Sequence, residues 1–176
     1  MSLAIQMIAT GGPDVLQARR GDLPAPGAGE VRLRHEAIGV NFVDIYHRTG
    51  LYPVPTLPAV PGVEGAGIVE AVGPDVAGIA PGDRMAYAGL PIGAYAEARN
   101  IPAGRLVPLP PSVPSTIAAG ALLRGVTAHM LLHQVYPVGP GTRVLVHAAA
   151  GGLGQILTRW AKALGALLIG TVGSEA

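Results

Sequence analysis

Hydrophobic positions along the chain follow two regimes. Up to about Pro111 they come in short, roughly alternating runs, at residues 3–8, 31–38, 67–72, 84–88, 94–99 and 106–109. Alternation of this kind predicts strands with one face buried. Turn signals separate the runs, including Gly11-Gly12-Pro13, Pro24-Ala25-Pro26-Gly27, Gly73-Pro74-Asp75 and Pro81-Gly82-Asp83, so this part reads as an all-β barrel or sandwich. After Pro114 the period changes. Ser115 is placed to cap a helix running through Ala118, Ala119, Leu122 and Leu123, and a second helical stretch is predicted from about Val126 to Val135.

Residues 142–148 then form a compact apolar run without alternation, as expected of a strand buried on both faces of a parallel sheet. Residues 151–164 read as a helix closed by Gly165 as its C-terminal cap, and 166–172 as a second buried strand. The last three elements make a β-α-β unit. Such a unit needs further strands and helices before it forms a stable sheet, and only four residues follow it, so the chain is expected to be a fragment or to complete its sheet with another copy of itself.

Composition changes this picture little. Of 176 residues, 49% are hydrophobic and 13% charged, enough apolar material for one core and part of another. The 26 glycines and 17 prolines stand among Val, Ile, Leu and Ala, which fits short strands and tight turns rather than disorder. A formal charge of +1, with no basic run longer than Arg19-Arg20, gives no footprint for nucleic acid or an anionic membrane. The chain has no cysteine, so disulfides and thiolate catalysis are excluded and a reducing cytoplasm fits. No secretory leader or membrane-spanning segment is predicted.

The segment most informative about chemistry is 144–154, Val-Leu-Val-His-Ala-Ala-Ala-Gly-Gly-Leu-Gly. A buried strand leads into a glycine-rich turn and then a helix, which is the setting in which backbone N–H groups cradle a pyrophosphate. The candidate contacts are Ala150, Gly151, Gly152, Leu153 and Gly154. Ala149 replaces the first glycine of the common dinucleotide pattern, so a turn serving only close packing stands as the alternative. Where an acidic residue would take the ribose of NAD, the chain has Val172-Gly173-Ser174. Gly173 and Ser174 leave room and donors for a 2′-phosphate and favour NADPH, although Glu175 stands only one or two positions late for the NAD role.

Several linked segments carry a family resemblance. They are Asn41-Phe42-Val43-Asp44-Ile45-Tyr46-His47-Arg48-Thr49-Gly50-Leu51-Tyr52, Pro61-Gly62-Val63-Glu64-Gly65-Ala66-Gly67-Ile68-Val69, Gly82-Asp83-Arg84 and the Ala-Ala-Ala-Gly-Gly-Leu-Gly turn. In this order they resemble the zinc-independent NADPH:quinone reductases and zeta-crystallins of the medium-chain dehydrogenase/reductase superfamily. The resemblance implies a mixed fold: a GroES-like β domain at 1–123, then the incomplete start of a Rossmann-type dinucleotide-binding domain at 124–176, with the nicotinamide between them. Relatives of this kind continue the sheet beyond the point where this chain stops.

The resemblance also implies hydride transfer from NADPH to a quinone. Asn41, Tyr46 and Tyr52 match catalytic positions lining the quinone and nicotinamide pocket, and Thr127 matches a nicotinamide contact. In zinc alcohol dehydrogenases of the superfamily a Cys stands near the position of Asn41 and a His immediately precedes the Glu. Here Asn41 and Val63 take those places, so no metal is expected. Other roles stay open: Asn41 as a helix or turn cap, the tyrosines as half-buried packing, and Asp44 and Glu64 as loop fixers through backbone hydrogen bonds. His129 and His133 have metal-ligand spacing without a third ligand, and a packed or solvated helix face is expected instead. An enoyl-type alkene reductase on the same scaffold and a non-catalytic fragment are the competing readings. A cytoplasmic homodimer acting on a small electrophile, with neither nucleic acid nor membrane as partner, completes the expectation.

Overall fold

Strand β3 (Glu30–Ile38) shows how the alternation is spent: Val31 and Leu33 are fully buried while Arg34 faces out and pairs with Glu70 at 3.1 Å. In the computed structural model, which describes residues 1–173, β3 is an inner strand of a five-stranded antiparallel sheet. It pairs with β4 (Glu64–Val72) on one side and β6 (Ala98–Pro102) on the other. β5 (Arg84–Ala88) and the short β7 (Val107–Pro108) extend it, giving the order β6-β3-β4-β5-β7. The core on its inner face is Val31, Leu33, Val69, Met85, Tyr87, Ala94, Ile101 and Leu106. A separate hairpin of β1 (Ser2–Met7) and β2 (Leu16–Gly21) is antiparallel and tied on by isolated bridges from Ala4 to Ala96 and Met7 to Ala59.

The chain divides into two compact units, Met1–Leu122 and the segment from Leu123 onward. In the second, β8 (Arg143–Val146) and β9 (Leu167–Gly170) pair in parallel around helix α3 (Gly152–Ala163). Its core joins Leu132, Ala161 and Ala166 with Val144, Leu157, Trp160 and Leu168. Gly165 closes α3 at φ 84°, with its N–H donated to the Lys162 carbonyl and the next N–H to that of Ala161, the cap expected of it. The mixed architecture, a β domain followed by a first β-α-β unit, is the one expected.

Several local expectations need correction. Residues 42–49, inside the part read as all β, form helix α1 (Phe42–Thr49). The polar-looking β2 escaped the alternation test because only its pairing with β1 makes it a strand. Of the strand expected at 94–99, only the end joins the large sheet: Ile5 N–H donates to the Tyr95 carbonyl and Glu97 N–H to that of Leu3, so this segment serves the hairpin before β6 begins.

Ser115 does not cap its helix. The Pro114 carbonyl takes the first helical N–H groups, while Ser115 Oγ donates to Glu36 at 2.5 Å and accepts from Arg84 at 3.2 Å. Nor is there a break before Val126, since α2 (Ser115–His129) runs directly into a π-helical turn at Met130–Val135. This continuous helix is long and apolar enough to cross a membrane by length and composition, a feature the sequence reading did not credit. Part of its apolar surface is partnered, with Ala118 and Ala119 packed on Ala66 and Ala86 and Leu132 in the core of the second unit, while Ile117, Val126, Met130 and Val135 are exposed. Finally, β8 and β9 are not buried on both faces. Val144 and Leu168 pack toward α3, but Leu145, Leu167 and Ile169 are each more than half exposed, because a sheet of two strands has one face uncovered.

Candidate functional site

Helix α1 organises the candidate residues of the first unit. Asn41 is its N-cap residue, in extended backbone, and Asp44 at the third helical position reaches back to accept the Asn41 backbone N–H at 2.8 Å. That is one half of a capping box. The same Asp44 oxygen accepts the Tyr95 hydroxyl at 2.8 Å, and Asp44 is buried. Burial, together with the Asp44 carboxylate, pushes the Tyr95 phenol above its ordinary range. Asp44 thus fixes the loop through a backbone hydrogen bond, as one of its two readings held, and also ties α1 to a tyrosine 51 residues away.

The Asn41 side chain also reaches across to strand β4. Its Nδ2 donates to Glu64 Oε2 at 2.7 Å, and both residues are buried, Glu64 completely. The site is closed tightly from behind. A Cβ built on Gly39 would fall 2.2 Å from the Ala119 carbonyl oxygen and 2.3 Å from Glu64 Oε2, so only glycine lets the backbone pass here. The Gly39 N–H donates to the Glu64 carbonyl at 2.9 Å.

Tyr46 and Tyr52 come together in a tilted ring contact of 5.2 Å, with Phe42 edge-on to Tyr46 at 5.3 Å. The Tyr52 N–H donates to the Tyr46 carbonyl at 3.1 Å, which folds the segment after α1 back along it. Tyr52 and Phe42 are exposed and Tyr46 is half-buried, so this aromatic group presents rings and hydroxyls at the surface rather than in the core. Behind it lies His47, buried and with ring contact to Tyr52 at 6.0 Å.

In the second unit the turn between β8 and α3 has the geometry of a phosphate cradle. Ala148 sits at φ 52°, and the Gly151 N–H donates back to its carbonyl at 2.8 Å. Gly151 is then the N-cap of α3, and the Gln155 side chain donates to the Ala150 carbonyl at 2.8 Å. Ala150, Gly151 and Gly152 are exposed, Leu153 is half-buried and Gly154 is buried. A Cβ on Gly154 would meet the Ala148 oxygen at 2.2 Å and Ala149 Cα at 2.7 Å, so glycine here serves close packing of helix against strand. The first turn of α3 leaves backbone N–H groups without helical acceptors and a partial positive charge beside the open glycines. These residues fit the pyrophosphate of a dinucleotide.

Thr127 is half-buried, and its Oγ1 donates to the Leu123 carbonyl at 2.8 Å, leaving its lone pairs as acceptors. Gly173 is exposed, and Ser174 lies outside the described residues. The His129 and His133 rings meet in a tilted contact at 4.8 Å and both contact Trp160, at 5.8 and 5.5 Å, and both histidines are exposed, so they belong to an aromatic group on the helix surface. Among the described residues no group of three His, Cys, Asp or Glu stands close enough to hold a metal ion. Two contacts escaped the sequence reading, Tyr95 on Asp44 and Glu64 on Asn41, because both join residues far apart in the chain and neither carries a local signal.

With this geometry in place, comparison with known proteins identifies the architecture. Residues 27–111 match the model of the alcohol dehydrogenase GroES-like domain. The chain is 50% identical over 174 residues to the quinone oxidoreductase of Pseudomonas aeruginosa, covering 99% of this chain and 54% of that protein. It is 45% identical to a 2-haloacrylate reductase of a Burkholderia species, covering 99% of this chain and 54% of that protein. Among solved structures, Escherichia coli quinone oxidoreductase complexed with NADPH superposes with a TM-score of 0.95 at 46% identity, covering 98% of this chain and 53% of that one. The chain thus spans about half the length of the curated relatives it matches. From its GroES-like sheet to its glycine turn, this chain is similar to quinone oxidoreductases over nearly its whole length, and its residues 27–111 match the alcohol dehydrogenase GroES-like domain.

Proposed function

We infer that the protein reduces a quinone with NADPH and without zinc. The observation that carries this reading is the strand, turn and helix at 143–163, whose open glycines and buried Gly154 suit a pyrophosphate. Its similarity to an E. coli quinone oxidoreductase solved with NADPH supports the choice of cofactor, as does the absence of an acidic residue at Val172-Gly173-Ser174. When bound, NADPH supplies a hydride. On this reading residues 124–176 hold the cofactor through Ala150, Gly151, Gly152, Leu153, Gly154, Gly173 and Ser174, with Thr127 toward the nicotinamide. Residues 1–123 meet the substrate.

In the substrate half Asn41, Tyr46 and Tyr52 do the work assigned to zinc in the alcohol dehydrogenases. A quinone oxygen that gains negative charge during hydride transfer is stabilised by preorganised N–H and O–H donors, and a quinone accepts hydride without a strong Lewis acid. Two features support a zinc-free site. The Asn41 nitrogen is already engaged as a donor to Glu64, and Val63 is a buried alkyl side chain with nothing to offer a metal. The balanced charge and lack of cysteine suit a cytoplasmic protein acting on small molecules rather than on nucleic acid or membranes, and we propose a homodimer as its working form.

Similarity to a 2-haloacrylate reductase favours one further reading, reduction of an activated alkene. That reaction takes the same hydride and the same donors. NADPH consumption followed against a series of quinones and against 2-haloacrylate separates the two. Quinone-dependent oxidation, slowed when the transferred hydrogen is deuterium, is the expected result. Turnover with the alkene alone would replace the quinone reading, and turnover with neither would overturn both.

A further inference from the structure

We propose that Glu64 is a positioning residue that fixes which way the Asn41 amide faces, so that Asn41 meets the substrate as a preset donor. The proposal rests on the function inferred above, in which Asn41 contacts the substrate. A carboxylate oxygen accepts hydrogen bonds, so the 2.7 Å contact to Glu64 Oε2 selects the amide nitrogen, not Oδ1, as the Asn41 atom facing it. With one N–H held there, the planar amide must direct its remaining N–H and its Oδ1 away from Glu64. A side-chain amide without such a partner can flip between two nearly isosteric orientations.

The surroundings fix the carboxylate in turn. Glu64 is fully buried on β4, its backbone carbonyl takes the Gly39 N–H, and its Oε2 lies where a Cβ on Gly39 would stand. Asn41 is held at the other end by its backbone N–H on Asp44. Two rigid attachments, one on the amide and one on the backbone, leave the side chain little freedom. The arrangement supplies the preorganisation that donors to a developing oxyanion require.

Three proteins test this: Glu64→Gln, Asn41→Ala and the double variant. The amide introduced by Glu64→Gln can accept from the Asn41 nitrogen or donate to its oxygen, so the fixed orientation is lost while shape is kept. Turnover of quinone in Glu64→Gln should fall by about 10- to 100-fold, the scale of a misplaced reacting group, mainly in kcat with KM little changed. The double variant should be no slower than Asn41→Ala alone. Independently of activity, the Asn41 side-chain NH2 signals in an NMR spectrum should be resolved and protected from exchange, and Glu64→Gln should shift them and speed their exchange. Unchanged NH2 signals, or additive losses in the double variant, would overturn the proposal. An Asn41→Ala protein that turns over normally would instead remove Asn41 from the substrate site, and this role with it.

Discussion

At the scale of single residues, His35 shows how burial becomes a pH dependence. Its Nδ1 lies 2.7 Å from the Ala96 carbonyl and its Nε2 2.8 Å from the Tyr87 hydroxyl. A carbonyl only accepts, so Nδ1 carries the proton and Nε2 accepts from Tyr87, and the ring is neutral. Burial, with a smaller push from the Arg99 charge and against the pull of the Ala96 carbonyl, lowers its pKa from 6.5 to about 4. The folded protein therefore binds fewer protons than the unfolded chain between those values, and stability rises with pH across that window. Above pH 6.5 His35 costs nothing; on acidification to about pH 4 the loss is complete and amounts to on the order of 3 kcal/mol. Denaturant unfolding of the protein and of His35→Gln should show a shallower loss of stability in the variant between pH 6.5 and about 4. Equal slopes would contradict the assignment. Nothing in the sequence around His35 marks it, since the neighbours that neutralise it, Tyr87 and Ala96, are 52 and 61 positions away.

At the scale of elements, α1 and the turn before α3 carry most of the candidate chemistry. Asp44→Ala removes the acceptor for the Asn41 N–H and for the Tyr95 hydroxyl together, and should destabilise the protein by about 1–2 kcal/mol. Tyr95→Phe, which loses only the second bond, should lower the melting temperature less. For the turn, Gly154→Ala places a methyl against the Ala148 oxygen, which backbone movement must relieve at about 1–3 kcal/mol. That variant should lose NADPH affinity as well as stability, and unchanged binding by calorimetry would detach the turn from the cofactor. These elements were unequally legible in the sequence. The turn was readable because its glycines follow one another in a strand-to-helix context. α1 was not: its eight residues sit among strands, and its start is set by a side chain three positions on, whose capping role is plain only once the helix exists. The exposed face of β8 and β9 was misread because an apolar strand looks alike whether one or both of its faces are covered.

At the scale of the whole molecule, the order of motifs was more informative than any one of them. The Asn41 to Tyr52 segment, the Val63-Glu64 pair and the 148–154 turn predict a GroES-like sheet followed by the β-α-β unit that opens a Rossmann-type domain, and a GroES-like sheet and a β-α-β unit are present in that order. What the sequence left open was which carboxylate does what, since Asp44 and Glu64 read alike until their partners are placed. Asp44 secures the helix; Glu64 holds the Asn41 amide. Under the proposed function the protein takes NADPH as its hydride source on the turn at 148–154. Calorimetric titration with NADPH and with NADH is the decisive measurement. Saturable binding that is tighter for NADPH and weakened by Gly154→Ala is the predicted result; binding of neither nucleotide, or tighter binding of NADH, would contradict it.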